Sequence, residues 1–357
     1  LKSVEGVRGT NFDDTYDATN FSGSSTNAGS NGTFNNFDGV GGDDTIIGNG
    51  NTRIQYTQAT DGVNVNFVTG IASGNSSVGT DHFSGVNAVM GSMFNDIFVG
   101  SNANENFMGL AGDDSIDGGG GFDTALYNNM TYTTGGITVD MAAGTVDDKI
   151  IGDHSSGHDT LRLIEAVQGT AFADSYDATH FGQAGYLDPA HFNVGNFGNY
   201  NQFEGLGGDD SILGNGNTRV VYQSATSGPG GSGVTIHMAA GTADGNASVG
   251  HDTFSAVNGA VGSNFNDAYD AAGFVGFNEF VGLGGSDQPF RLDWIESGGP
   301  AGAAPRRTGF GSRAIERGAG QKFGGEATLA YAPAGVPSAL GATMEKLLPL
   351  FFIHISA

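Results

Sequence analysis

Apolar residues in this chain follow neither the 3.6-residue period of a helix nor the sustained alternation of a long strand. Between residues 91 and 126 one place is apolar every nine residues, at Phe98, Phe107, Ile116 and Ala125. Glycine keeps the same interval at Gly91, Gly100, Gly109 and Gly118, and the sixth place is always acidic: Asp96, Glu105, Asp114, Asp123. The four nonads read GSMFNDIFV, GSNANENFM, GLAGDDSID and GGGGFDTAL.

This period predicts a six-residue turn followed by a three-residue strand, with the eighth residue of each nonad pointing inward. One such strand buries little by itself. Many stacked strands bury a continuous core, which is the solenoid solution. The expected fold is therefore all-β.

Similar nonads begin at Gly9 (GTNFDDTYD), Gly39 (GVGGDDTII), Gly169 (GTAFADSYD), Gly205 (GLGGDDSIL) and Gly262 (GSNFNDAYD). A longer period lies above them. The doublets Gly41-Gly42, Ala111-Gly112, Gly207-Gly208 and Gly284-Gly285 stand 70, 96 and 77 residues apart, and each opens a unit of one plan. A tyrosine (Tyr56, Tyr127, Tyr222) precedes an alternating strand (GVNVNF, GITVDM, GVTIHM), then a turn and a segment such as GTDHFSGVNAV. That segment spaces apolar residues three apart, at Phe83, Val86 and Val89. Further narrow strands are expected there, with a helix as the alternative. The insertions ATNFSGSSTNAG and HFGQAGYLDPAHFNVG are expected to leave the solenoid as loops.

The organisation expected is the end of a truncated unit at 1–38, then units at 39–108, 109–204 and 205–281, and the start of another at 282–287. The opening LKSVEGVRG matches LRLIEAVQG at 161–169, so the chain is expected to begin in mid-unit. From about residue 288 the pattern stops. The last 70 residues hold 7 of the 13 basic residues, 6 of the 8 prolines and Trp294, the only tryptophan. An out-of-frame translation or assembly join would explain this tail; a carboxy-terminal export signal is the competing reading.

Composition narrows the function. A formal net charge of -25 with 13 Lys and Arg makes nucleic acid a poor partner, because phosphate binding needs a basic face. The 25 Phe and 10 Tyr are too many for a solvated chain. Absence of cysteine excludes disulfides, thiolate zinc sites and a cysteine nucleophile. No apolar run approaches the roughly 18 residues of a membrane span, so no transmembrane segment is expected.

Chemistry lies in the glycine and aspartate turns. Six glycines and four aspartates crowd residues 109–127, where glycine is entropically costly and like charges repel. Hard cations take oxygen ligands from carboxylates and backbone carbonyls, and glycine turns expose such carbonyls, so a calcium ion would be part of the fold.

These nonads resemble the RTX, or haemolysin-type, calcium-binding repeat family, whose consensus is G-G-x-G-x-D-x-U-x. GGGGFDTAL matches every fixed position; GLAGDDSID, GVGGDDTII and GLGGDDSIL miss only the second glycine. The resemblance implies a right-handed parallel β-roll in which two nonads make one turn. It also implies Ca2+ held by loop carbonyls and position-six carboxylates. Carried over, Asp96 and Asp114 form one column and Glu105 and Asp123 the other, and with Gly109, Gly112, Gly118 and Gly121 of the loops they are the implied metal-site residues for about two ions. Asp14, Asp44, Asp174, Asp210, Asp267 and Asp287 take the same position elsewhere.

Departures are expected to weaken some sites. GNGNTRIQY (48–56) and GNGNTRVVY (214–222) put Arg53 and Arg219 at position six, where the guanidinium is expected to neutralise Asp43 or Asp209. Asn35, Asn201 and Asn278 replace the acid one nonad before the glycine doublets. Without metal, the aspartates would be turn formers. The cluster Asp153, His154, His158 and Asp159 reads as a solvated loop rather than a transition-metal site, and Asp159 matches Asp81 and Asp252, which suggests a shared structural role.

No H-E-x-x-H, G-x-S-x-G or P-loop occurs, so no enzyme activity is expected. The favoured reading is a calcium-binding structural or adhesive segment of a secreted bacterial protein, with cell-surface or polysaccharide ligands as candidate partners. The resemblance implies type I export, with folding outside the cell. Two alternatives are the calcium module of an exported protease or lipase, and a polysaccharide-active solenoid enzyme.

Overall fold

The computed structural model describes residues 4–22, 24, 32–128, 133–150, 152, 155–183 and 193–285, and the backbone of the strands Arg291–Ile295, Thr328–Leu329 and Pro337–Gly341. The chain is all-β: among the described residues the one helical element is the 3-10 turn Pro229–Gly231. Most strands join one large, mostly parallel sheet, as in a solenoid or roll. Contacts divide the chain into two units, residues 1–221 with 247–259, and residues 222–246 with 260–357.

In the first unit consecutive nonads supply strands to two ladders. Ile97–Val99 pairs in parallel with Ser115–Asp117, and Asn106–Met108 with Thr124–Leu126. Partners are eighteen residues apart, so two nonads complete one turn. The ladder of Asn106–Met108 continues through Ala88–Met90 and Thr52–Gln55 on one side and through Ala166–Gln168 and Asn201–Glu204 on the other.

Position-eight residues meet in the core. Phe98, Phe107 and Ala125 are fully buried and Ile116 is 2% exposed. Phe98 and Phe107, from opposite ladders, stack with centroids 6.1 Å apart. Burying each such ring contributes about 2 to 3 kcal/mol, repeated turn by turn.

The segment around Phe83 is strand and not helix: Phe83 lies in Thr80–Ser84 and Val89 in Ala88–Met90. The alternating segments have a feature that periodicity does not display. Asn64–Asn66 and Ile137–Asp140 each turn back into an antiparallel partner, Ile71–Ser73 and Thr145–Asp148. Those partners pair antiparallel in turn with Thr80–Ser84 and His158–Arg162, so a three-stranded meander interrupts the parallel ladder once per unit.

The second unit repeats this plan, with Ser232–His237 antiparallel to Thr242–Asp244 and parallel to Asn266–Asp270. A separate antiparallel sheet joins Arg291–Ile295, Pro337–Gly341 and Thr328–Leu329. The remaining tail, Asp287, Asp153, His154 and most of the two insertions lie outside the described residues. No helix among the described residues is long and apolar enough to cross a membrane.

Candidate functional site

The position-six acids form hydrogen-bonded columns. The backbone N–H of Asp96 donates to Oδ1 of Asp114, and that of Glu105 to Oδ1 of Asp123, both at 2.8 Å. The structure thus brings together both pairs that the nonad spacing brings to one column. Asp14 donates likewise to Asp44, and Asp174 to Asp210, at 2.8 Å. Each column gains a third acid: Asp44 donates to Asp81, Asp114 to Asp159, Asp123 to Glu165 and Asp210 to Asp252, at 2.8–3.0 Å.

The first and second acid of each triad differ in kind. Nonads with Ser or Thr at position two cap their own carboxylate. The Ser92 N–H donates to Oδ2 of Asp96 at 2.7 Å while its hydroxyl donates to Oδ1, and Thr170 does the same for Asp174. Thr10 caps Asp14 with both groups, Ser101 caps Glu105, and Ser263 caps Asp267 in the second unit.

The second acids have no such cap. Position two is Val40, Leu110, Gly119 or Leu206, with φ of 71, 82, 78 and 70°. Position four is a glycine with φ between 108 and 119°: Gly42, Gly112, Gly121, Gly208. Left-handed backbone at position two goes with loss of the N–H that elsewhere reaches Oδ2. In consequence Oδ2 of Asp44, Asp114, Asp123 and Asp210 is buried without a hydrogen-bond partner. All four residues are at most 2% exposed.

The position-one glycine lies against that orphaned oxygen. A Cβ on Gly39, Gly109 or Gly205 would sit 2.0, 1.8 or 1.7 Å from Oδ2 of its own acid, so the inward-folded carboxylate fills the space a side chain would need.

An unpaired buried carboxylate oxygen is costly, and column neighbours add repulsion. Desolvation, opposed by the backbone N–H it accepts, pushes the carboxyl of Asp44 up to about 6 and that of Asp123 up to about 8. Asp114 and Asp210 are driven upward by burial and then by the facing charges of Asp159 and Asp252. Burial also raises the self-capped Asp96 and Asp174, to about 6, with their caps offsetting part of the desolvation. Two of the third acids are closed by tyrosines: the Tyr56 hydroxyl reaches Oδ2 of Asp81 at 3.0 Å, and Tyr127 that of Asp159 at 2.7 Å.

The expected arginine substitution is corrected. The turn GNGNT is one residue shorter, so Thr52 and Thr218, both fully buried, take the column place and pair with Asn35 and Asn201. Arg53 forms no ion pair with Asp43; its guanidinium lies 5.3 Å over the Phe34 ring, and Asp43 accepts the Thr80 N–H. Arg219 lies over Tyr200, and Asp209 accepts the His251 N–H. Asn35 and Asn201 do occupy the column, each accepting a tyrosine hydroxyl, from Tyr16 and Tyr176; Asn278 accepts that of Tyr269 in the second unit.

Glu165 and the cap at position two escaped the sequence reading. A signal for the cap was present: Ser or Thr at position two never coincides with Gly at position four in these nonads. Among the described residues no three His, Asp or Glu side chains converge as a metal cluster. A cation would need backbone carbonyls for most of its ligands. No protein-family model and no curated protein matches the chain.

Proposed function

We propose that the chain is a calcium-stabilised β-roll with a structural or adhesive role outside the cell, completing its fold when it meets calcium there. The observation that carries this reading is the set of four orphaned carboxylate oxygens, on Asp44, Asp114, Asp123 and Asp210. They fall in the four nonads that most resemble the RTX consensus. The chemistry fits a hard cation: a buried anionic oxygen beside a glycine turn whose carbonyls are unobstructed by side chains. Calcium bound there supplies the positive charge that the column lacks.

The protein's own residues do the rest. Self-capped nonads hold their acids without an ion and provide the N–H groups that fix Oδ1 of each open acid. Binding to the folded state alone adds about 2.7 kcal/mol per site at one hundred times Kd. In low cytosolic calcium the open columns would oppose folding, and in millimolar calcium they would favour it, which suits an exported protein. Repeat units of several lengths without a catalytic motif favour a structural or adhesive role over an enzymatic one.

Equilibrium dialysis with radioactive calcium, with magnesium as competitor, tests the reading. Asp114→Asn and Asp210→Asn should each lose one bound ion. Unchanged binding in both variants, or no binding in the parent, would overturn it.

A further inference from the structure

The column Glu105, Asp123, Glu165 differs from the other three. Its third acid is glutamate, fully buried, and the end of the insertion at 180–195 returns to it rather than leaving the roll. Asn193, also fully buried, clamps the returning chain: its Oδ1 accepts the Ile164 N–H and its Nδ2 donates to the Ile164 carbonyl, both at 2.9 Å. Gly195 passes so close that a Cβ would lie 2.8 Å from Cγ of Glu165. The Asn196 N–H then donates to Oε1 of Glu165 at 2.5 Å.

The side chain of Asn196 ends in the glycine turn of the open nonad. Its Nδ2 stands 3.0 Å from the Gly119 carbonyl, 3.2 Å from the Gly121 carbonyl and 3.3 Å from Oε1 of Glu165. An amide nitrogen has two hydrogens, so three oxygens over-subscribe it. Two carbonyls and a carboxylate oxygen around one point form the donor set of a hard cation. Nearby, Oδ2 of Asp123 is buried and unpaired.

We propose that the Asn196 amide occupies a cation position formed by Gly119, Gly121 and Glu165, so that the insertion plugs this column and competes with calcium for it. The inference rests on the calcium reading above. It makes the columns unequal: those of Asp44, Asp114 and Asp210 take the ion directly, while the Asp123 column is held by its own chain. A bound calcium there would draw its oxygens in to about 2.3–2.6 Å and displace the amide.

Asn196→Asp turns the plug into a ligand and sets it against Glu165; Asn196→Ala removes it. The full chain and both variants are compared by calcium equilibrium dialysis and by hydrogen exchange at the Ile164 amide, which reports whether Asn193 is docked. One additional ion in Asn196→Asp, lost again on adding Asp123→Asn, supports the plug. So does Ile164 exchange that becomes at least tenfold slower with calcium in Asn196→Asp but not in the parent. If the parent binds calcium and neither variant changes in ion count or exchange, the plug is refuted while the calcium reading stands. If no form binds calcium, both fall.

Discussion

The backbone N–H of Asp96 donates to the carboxylate of Asp114, eighteen residues later and one turn along the roll, at 2.8 Å. Around this contact two acids of identical type behave oppositely. Asp96 has its second oxygen capped by Ser92, while Asp114 has its second oxygen buried and bare. The difference originates at position two of the nonad, where serine is replaced by a leucine with φ of 82°.

The caps should matter with or without calcium. Thr170→Val keeps the shape of a fully buried residue but removes the hydroxyl that donates to Asp174. Thermal or urea denaturation should show a loss of roughly 1 to 3 kcal/mol, equal in calcium and in chelator, with the number of bound ions unchanged.

Backbone strain at position two can be relieved. Val40 is β-branched and holds φ of 71°, a conformation costing such a residue about 1–2 kcal/mol. Val40→Gly removes that cost against about 0.5–1 kcal/mol of added unfolded-state entropy. Denaturant midpoints should rise slightly, and calcium affinity at the Asp44 column should not fall. A clear loss of stability would show that Val40 packs more than it strains.

The pH dependence should reverse sign with calcium. Asp44 and Asp123 have folded carboxyl values raised to about 6 and about 8 from 3.8. Their contribution in chelator is fully present below about pH 4 and is lost as pH rises through 6 to 8. With saturating calcium the carboxylate of Asp44, whose column takes the ion directly, must be ionised, so binding strengthens over that interval, while Asp123, plugged by Asn196, keeps its behaviour in chelator. Melting temperature between pH 5 and 8.5 should therefore fall in chelator and rise in calcium. A rise under both conditions would contradict the assignment of buried, ion-free carboxylates.

The period of nine made much of this architecture legible before any coordinates. The inward Phe98 and Phe107, the pairing at eighteen residues and the two acid columns all follow from it, because each nonad is one strand and one turn. Other features depend on contacts between segments that share no period. Asp81, Asp159 and Glu165 complete the columns from outside the glycine nonads, and Asn193 to Asn196 return from an insertion with no pattern of its own. Counting also misled at GNGNT, where one missing turn residue puts Thr52, not Arg53, in the column. Sequence spacing marks the place of an acid but not which of its oxygens is already hydrogen-bonded.

The most direct test of the central claim is far-ultraviolet circular dichroism of the full chain at neutral pH during a calcium titration, with magnesium as control. A cooperative gain of β signal with calcium alone is predicted. The same β signal in chelator, unchanged by calcium, would contradict it and leave the four bare carboxylates as turn residues that need no ion.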